Sequence, residues 1–110
     1  MGLNAHWDDF LDTLKDGVKD LADNTLKGFP EQAQEDAEAF ATFARAKLEL
    51  WSDALTQGKI EEDDFEFLVG GLTKLAKLHG LVAKGIVAKR LDDFRNGLTS
   101  LIIKTVIGMI

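Results

Sequence analysis

Carboxylates are the most plentiful groups here that could do chemistry: the 110-residue chain carries 19 Asp and Glu, two histidines, two serines and no cysteine. A di-iron or di-manganese carboxylate bundle would need Glu and Glu-x-x-His motifs facing inward, and neither His6 nor His79 has a Glu three residues before it. Asp8, Asp9, Asp12 and Asp16 follow helical spacing, whereas a calcium loop needs alternating oxygen donors around a central glycine. Ser52 and Ser100 lie in no nucleophile-elbow sequence. The lack of cysteine removes a thiolate zinc site, a disulfide framework and a cysteine nucleophile. Gly70-Gly71 follows no strand pattern and lacks phosphate-loop spacing, so it is expected to permit close helix packing or a local bend. His79 falls on an apolar stripe and, being alone, is expected to be a packed core or boundary residue. The acids are therefore expected to form a solvated face, and no catalytic, cofactor-binding or metal-binding residue is assigned.

The elements that carry these residues read as helix nearly throughout, with one proline, no tyrosine and apolar residues every three or four positions. A first helix is predicted from Asn4, as N-cap, to about Lys27, where Gly28 supplies a left-handed stop. Its stripe is Trp7, Phe10, Leu11, Leu14, Val18, Leu21 and Thr25, opposite a ridge of Asp9, Asp12, Asp16, Asp20 and Asp23. Pro30 suits the first position of a second helix running to about Gln57, stapled by Phe29, with Ala33, Ala37, Phe40, Ala44, Leu48, Trp51 and Leu55 buried. Gly58, Ile60 and the acids Glu61 to Asp64 mark a third start. Through that glycine, Ile60 and the acidic run leading to Phe65-Glu66, the stretch Trp51 to Leu68 loosely resembles the short two-helix SHOCT module. The resemblance covers under a fifth of the chain, and no function is carried over from it.

Beyond Phe65 the pattern Phe65, Leu68, Leu72, Leu75, His79, Val82, Ile86 keeps one face, then gives way to Val87, Leu91, Phe94, Leu98, Leu101 and Thr105. The second stripe is rotated by roughly 80°, which predicts a kink or break near residues 88–93. An unbroken helix over residues 62–107 would measure ~69 Å at 1.5 Å per residue, too long for the first two helices to cover. The expected fold is all-α: one domain over residues 1–110, a small antiparallel bundle of three to four helices, the last long and bent or broken.

Charge divides the chain. Residues 1–66 hold 17 acids against 6 Lys and Arg, while residues 67–110 hold 2 against 7, within a net charge of −6. That balance argues against nucleic acid as a partner, which would require clustered cations interleaved with stacking aromatics. The segment Gly71 to Arg90 resembles membrane-surface amphipathic peptides, with Lys74, Lys77 and Lys84 within about 80° of one another on a helical wheel. The end of the chain, Leu98 to Ile110, is unusually apolar: Ile102, Ile103, Val106, Ile107, Met109 and Ile110 cover several faces of a helix and call for burial on more than one side, and Leu98, Leu101, Ile102, Ile103, Val106 and Ile107 are its candidate contact residues. The start, Met-Gly-Leu-Asn-Ala-His-Trp-Asp-Asp, reads as neither a secretory signal nor a myristoylation site, and no apolar run reaches the ~20 residues of a membrane span. The expectation is a cytoplasmic, non-enzymatic interaction or assembly protein that forms homo-oligomers or binds another helical protein. Its contacts would be Lys74, Lys77, Lys84 and the apolar end; the alternative is peripheral binding to an anionic membrane surface through residues 71–90.

Overall fold

A computed structural model describes residues 3–110, and within them the all-α expectation holds, with no strand. A 3₁₀ turn, Leu3–His6, leads into α1 (Trp7–Thr25), followed by α2 (Pro30–Thr56), α3 (Glu62–Thr73), the five-residue α4 (His79–Ala83) and α5 (Ala88–Met109). The molecule measures 42 × 23 × 21 Å. There are thus five α-helices where three to four were predicted, because the stretch read as one long third helix is cut twice before residue 88.

The first start also moves. Asn4 does not cap α1; its side-chain oxygen accepts from Arg45 Nη2 at 3.1 Å, and the same guanidinium lies 4.7 Å over the Trp7 ring. This draws the first turn onto α2 and buries Leu3 beneath it. The α1–α2 turn is tighter than a single glycine stop, since Lys27 (φ 61°), Gly28 (φ 141°) and Phe29 (φ 59°) all take positive φ. Pro30 opens α2 as predicted, its absent N–H falling where a helix has no use for one. Asp64 secures the start of α3 by accepting the Glu61 backbone N–H at 3.0 Å.

The core is one cluster built from every element. α1 contributes Trp7, Phe10, Leu14, Val18 and Ala22, and α2 contributes Ala33, Ala37, Phe40, Ala41, Ala44 and Leu48. Phe65 and Val69 enter from α3, Leu81 from α4, and Leu91, Phe94, Leu98, Ile102 and Val106 from α5. On α1 and α2 the predicted stripes are right in phase; Leu11, Leu21, Trp51 and Leu55 pack at the margin of the core.

On α3 the stripe is shifted. Phe65, Val69 and Thr73 face inward, Leu75 and Val82 are exposed, and His79 is solvent-facing at the first position of α4. The shift follows from the break. The chain leaves helical geometry after Thr73, passes through Leu78 in a left-handed conformation (φ 53°), makes one turn as α4, and turns again at Gly85 (φ 81°). Gly70, Gly71, Gly80 and Gly85 fall across this stretch, and each costs a continuous helix about 1 kcal/mol relative to alanine.

The predicted break at residues 88–93 is corrected accordingly. Those residues form the first turns of an uninterrupted α5, and its 22 residues span about 33 Å, within the long axis of the molecule. The rotated stripe that signalled a break was genuine: Leu91, Phe94 and Leu98 are buried as read. Its cause is the two non-helical junctions, residues 74–78 and 84–87, that let α5 begin in a new register.

Candidate docking surface

The connection between α3 and α5 is held in place by two polar anchors. Arg95 of α5 donates from Nε to the Ala76 carbonyl at 2.8 Å, capturing an acceptor freed where α3 ends. From the other side, Asp36 of α2 accepts the N–H groups of Gly80 (3.3 Å) and Leu81 (2.8 Å) at the start of α4. Gln32 also donates to Asp36, and a Cβ on Gly80 would overlap the Gln32 side chain at 1.8 Å. Glycine is what lets α2 reach that backbone. The Thr73 and Thr99 hydroxyls hydrogen-bond to each other across α3 and α5, closing the base of the break.

This anchoring leaves a groove of about 380 Å³ between α2 and the connection, lined by Asp36, Ala39, Phe40, Phe43, Leu75, Ala76, Lys77, Leu78 and His79. Phe40, Ala76 and Leu78 form its buried floor, while Phe43 is 77% and Leu75 68% exposed. The rim carries Lys77, and the one carboxylate in the wall, Asp36, already accepts from backbone N–H groups. Residues 67–91 contain no Asp or Glu, so this side of the molecule presents cations beside exposed apolar side chains.

The groove continues along α2. Ala39, Phe43, Ala46 and Leu50 are all exposed and recur at i, i+4, i+7 and i+11, within about 60° of one another at 3.6 residues per turn. They make a second apolar stripe, separate from the core stripe of the same helix. Following one stripe per helix misses it; the signal was present in that spacing, since two large apolar residues a heptad apart have no place in a fully solvated face.

The residues singled out from sequence are distributed differently from expectation. Lys74, Lys77 and Lys84 are exposed and make no ion pair among the described residues. They do not form a helical ridge, because Lys74 caps the end of α3, Lys77 lies in the connection and Lys84 caps the end of α4. Residues 71–90 are thus not one amphipathic helix. At the carboxyl end, Leu98, Ile102 and Val106 are fully buried, and Leu101 and Ile103 pack against the core at partial exposure. Their many-sided apolar pattern is satisfied inside the chain, by α1 above all. Ile107 remains on the surface.

The α1–α5 contact explains how the apolar end is absorbed. A Cβ on Gly17 of α1 would lie 2.6 Å from a Leu101 methyl, and one on Gly97 of α5 would lie 2.2 Å from a Leu21 methyl. Each helix offers a glycine to a leucine of the other, which lets their backbones approach closely. A more open groove of about 490 Å³ runs along this seam beside Asp16, Asp20 and Lys104.

Among the described residues, no three His, Asp or Glu side chains converge in a way that could hold a metal ion, and no buried side-chain polar atom lacks a hydrogen-bond partner. No helix among them is long and apolar enough to cross a membrane. No protein-family model, curated protein or solved structure matches this chain.

Proposed function

We propose that this protein is a non-enzymatic interaction or assembly module, an antiparallel arrangement of helices joined by short turns that self-associates or binds another helical protein in the cytoplasm. The observation that carries this reading is the pairing of Phe43 and Leu75, both largely exposed, in one groove beside an unpaired Lys77. Apolar side chains clustered with a polar rim are the composition of a docking site. The apolar carboxyl-terminal residues contribute less than their sequence suggests, because most of them complete the core.

Sedimentation velocity with light scattering over a concentration series tests the self-associating form. Reversible assembly is expected, and a monomer at every concentration would remove it. Flotation with anionic and neutral vesicles separates the lipid reading. Against the lipid reading, a continuous basic amphipathic helix over residues 71–90 requires the connection to leave Asp36 and Arg95. Capture by anionic vesicles alone, abolished by Lys74→Glu and Lys84→Glu, would reverse that preference.

A further inference from the structure

We propose that the outer stripe of α2 is a two-fold homodimer interface, in which α2 packs antiparallel against α2 of a second copy with Phe43 seated on that copy's Ala46. This rests on the self-association reading above and assigns its surface and register.

The stripe is self-complementary. A two-fold axis requires one patch to fit itself, and Ala39, Phe43, Ala46 and Leu50 alternate small and large with spacings of four, three and four. When Phe43 meets Ala46 of the second copy, the same axis places Leu50 of that copy on Ala39. Every large side chain then opposes an alanine, as interdigitating helices require. A slip that set Phe43 against Phe43 would lose this fit.

Charge agrees with the same register. The antiparallel placement brings Asp53 of the second copy opposite Asp36, and Asp36 lines the groove together with Lys77. Asp36 is already engaged by the Gly80 and Leu81 N–H groups. Asp36 keeps its charge, and Lys77 in the same wall is the cation that offsets it and pairs with the incoming Asp53; within one molecule neither Lys77 nor Asp53 has an ion-pair partner among the described residues. Leu50 of the second copy enters the groove at Ala39, between Phe43 and Leu75, and covers the apolar surface left open there. Two such pairs form per dimer. The Asp36 anchor thus gains a second consequence: by fixing the connection beside α2, it sets Lys77 where the opposing helix arrives.

The test is sedimentation of the full chain and of four variants: Phe43→Asp, Asp53→Lys, Lys77→Glu and the double variant Asp53→Lys/Lys77→Glu. Phe43 is largely exposed, so the fold is expected to survive its replacement, with circular dichroism melts as the control. Phe43→Asp should raise the dimer dissociation constant at least about tenfold, the effect of charging the centre of a small interface. Lys77→Glu should raise it about threefold to tenfold by setting a third carboxylate beside Asp36 and the incoming Asp53, and Asp53→Lys should raise it less, about twofold to threefold, because the new lysine meets Asp36 as well as Lys77. The double variant should return to within about twofold of the parent, since it restores an opposite pair in exchanged order. Asp53→Lys moves the net charge of −6 toward zero, so diminished general repulsion would strengthen association and the predicted weakening is specific. Self-association unaffected by Phe43→Asp would overturn the α2 interface while leaving self-association standing. A double variant no better than its weaker single would overturn the register. A parent protein that stays monomeric would overturn both this interface and the self-associating reading beneath it.

Discussion

The α1–α5 seam and the α3–α5 connection solve opposite packing problems with glycine. At the seam, Gly17 and Gly97 are helical, and their missing side chains admit Leu101 and Leu21. The two longest apolar patterns outside α2 thereby close on each other. In the connection, Gly80 admits polar groups, and Gly85 makes a turn that positive φ requires. That region is held by hydrogen bonds from Asp36 and Arg95 and leaves Leu75 in solvent. Interlocked apolar surface gives the molecule its stability; point-like polar anchors allow a neighbouring segment to be positioned without burying its side chains. A small all-α fold can thus leave apolar side chains exposed on one side while hiding most of its apolar residues elsewhere.

The largest expected effect comes from breaking the seam. Gly97→Leu fills the space occupied by Leu21, and overpacking of this kind costs about 2 to 3 kcal/mol; a thermal or urea melt should register that loss. Gly97→Ala should cost much less, because the displaced atom is the end of a flexible leucine and alanine gains about 1 kcal/mol of helix propensity. In a Leu21→Ala background, Gly97→Ala should become neutral or stabilising. Persistence of the full penalty in that background would show that the close approach is not what the glycine serves.

Unhooking the connection should have a smaller and more local effect. Asp36→Ala leaves the Gly80 and Leu81 N–H groups and the Gln32 amide without their acceptor, a loss of about 1 to 2 kcal/mol. Asp36→Asn retains one carbonyl oxygen and should lose about half as much. Hydrogen exchange is the decisive measurement: protection should fall at Gly80, Leu81 and Val82 while α1 and the middle of α5 keep theirs. A uniform fall over the whole chain would mean that the connection is as integral to the cooperative core as the seam.

What could be read from sequence divides along the same line. The phases of α1, α2 and α5 follow from apolar spacing alone, because each presents one stripe to a common core and Pro30 and Gly58 punctuate the chain strongly. The connection is not legible from local sequence because its determinants are tertiary. Asp36 lies more than forty residues before the N–H groups it receives, and Arg95 nineteen after the carbonyl it binds. Local periodicity joins Leu72, Leu75, Val82 and Ile86 into one face, whereas Ala76, Leu78 and Leu81, which do not fit that face, are buried, and Leu72 and Ile86 only pack at the margin of the core. Lys74, Lys77 and Lys84 share a ridge only on a continuous helix, and α3 ends at Thr73. On α2 the outer stripe was legible at Phe43 and Leu50, but a stripe does not itself reveal that a groove from a distant segment adjoins it.

The smallest stability effect sharpens the comparison most. Leu75 and Leu78 are three residues apart in the same connection, yet Leu78 is buried and Leu75 is largely exposed. Leu75→Ser removes apolar surface that the folded monomer leaves in water, so no cavity forms and no core contact is lost; its stability should remain within about 0.5 kcal/mol of the parent. Leu78→Ser, by contrast, would open the core beneath the groove. Equal melting of parent and Leu75→Ser, together with weaker self-association, would show that this leucine stabilises an assembly and not the fold. A clear loss of thermal stability in the dilute monomer would instead make Leu75 part of the core, and the connection would then resemble the seam it is contrasted with.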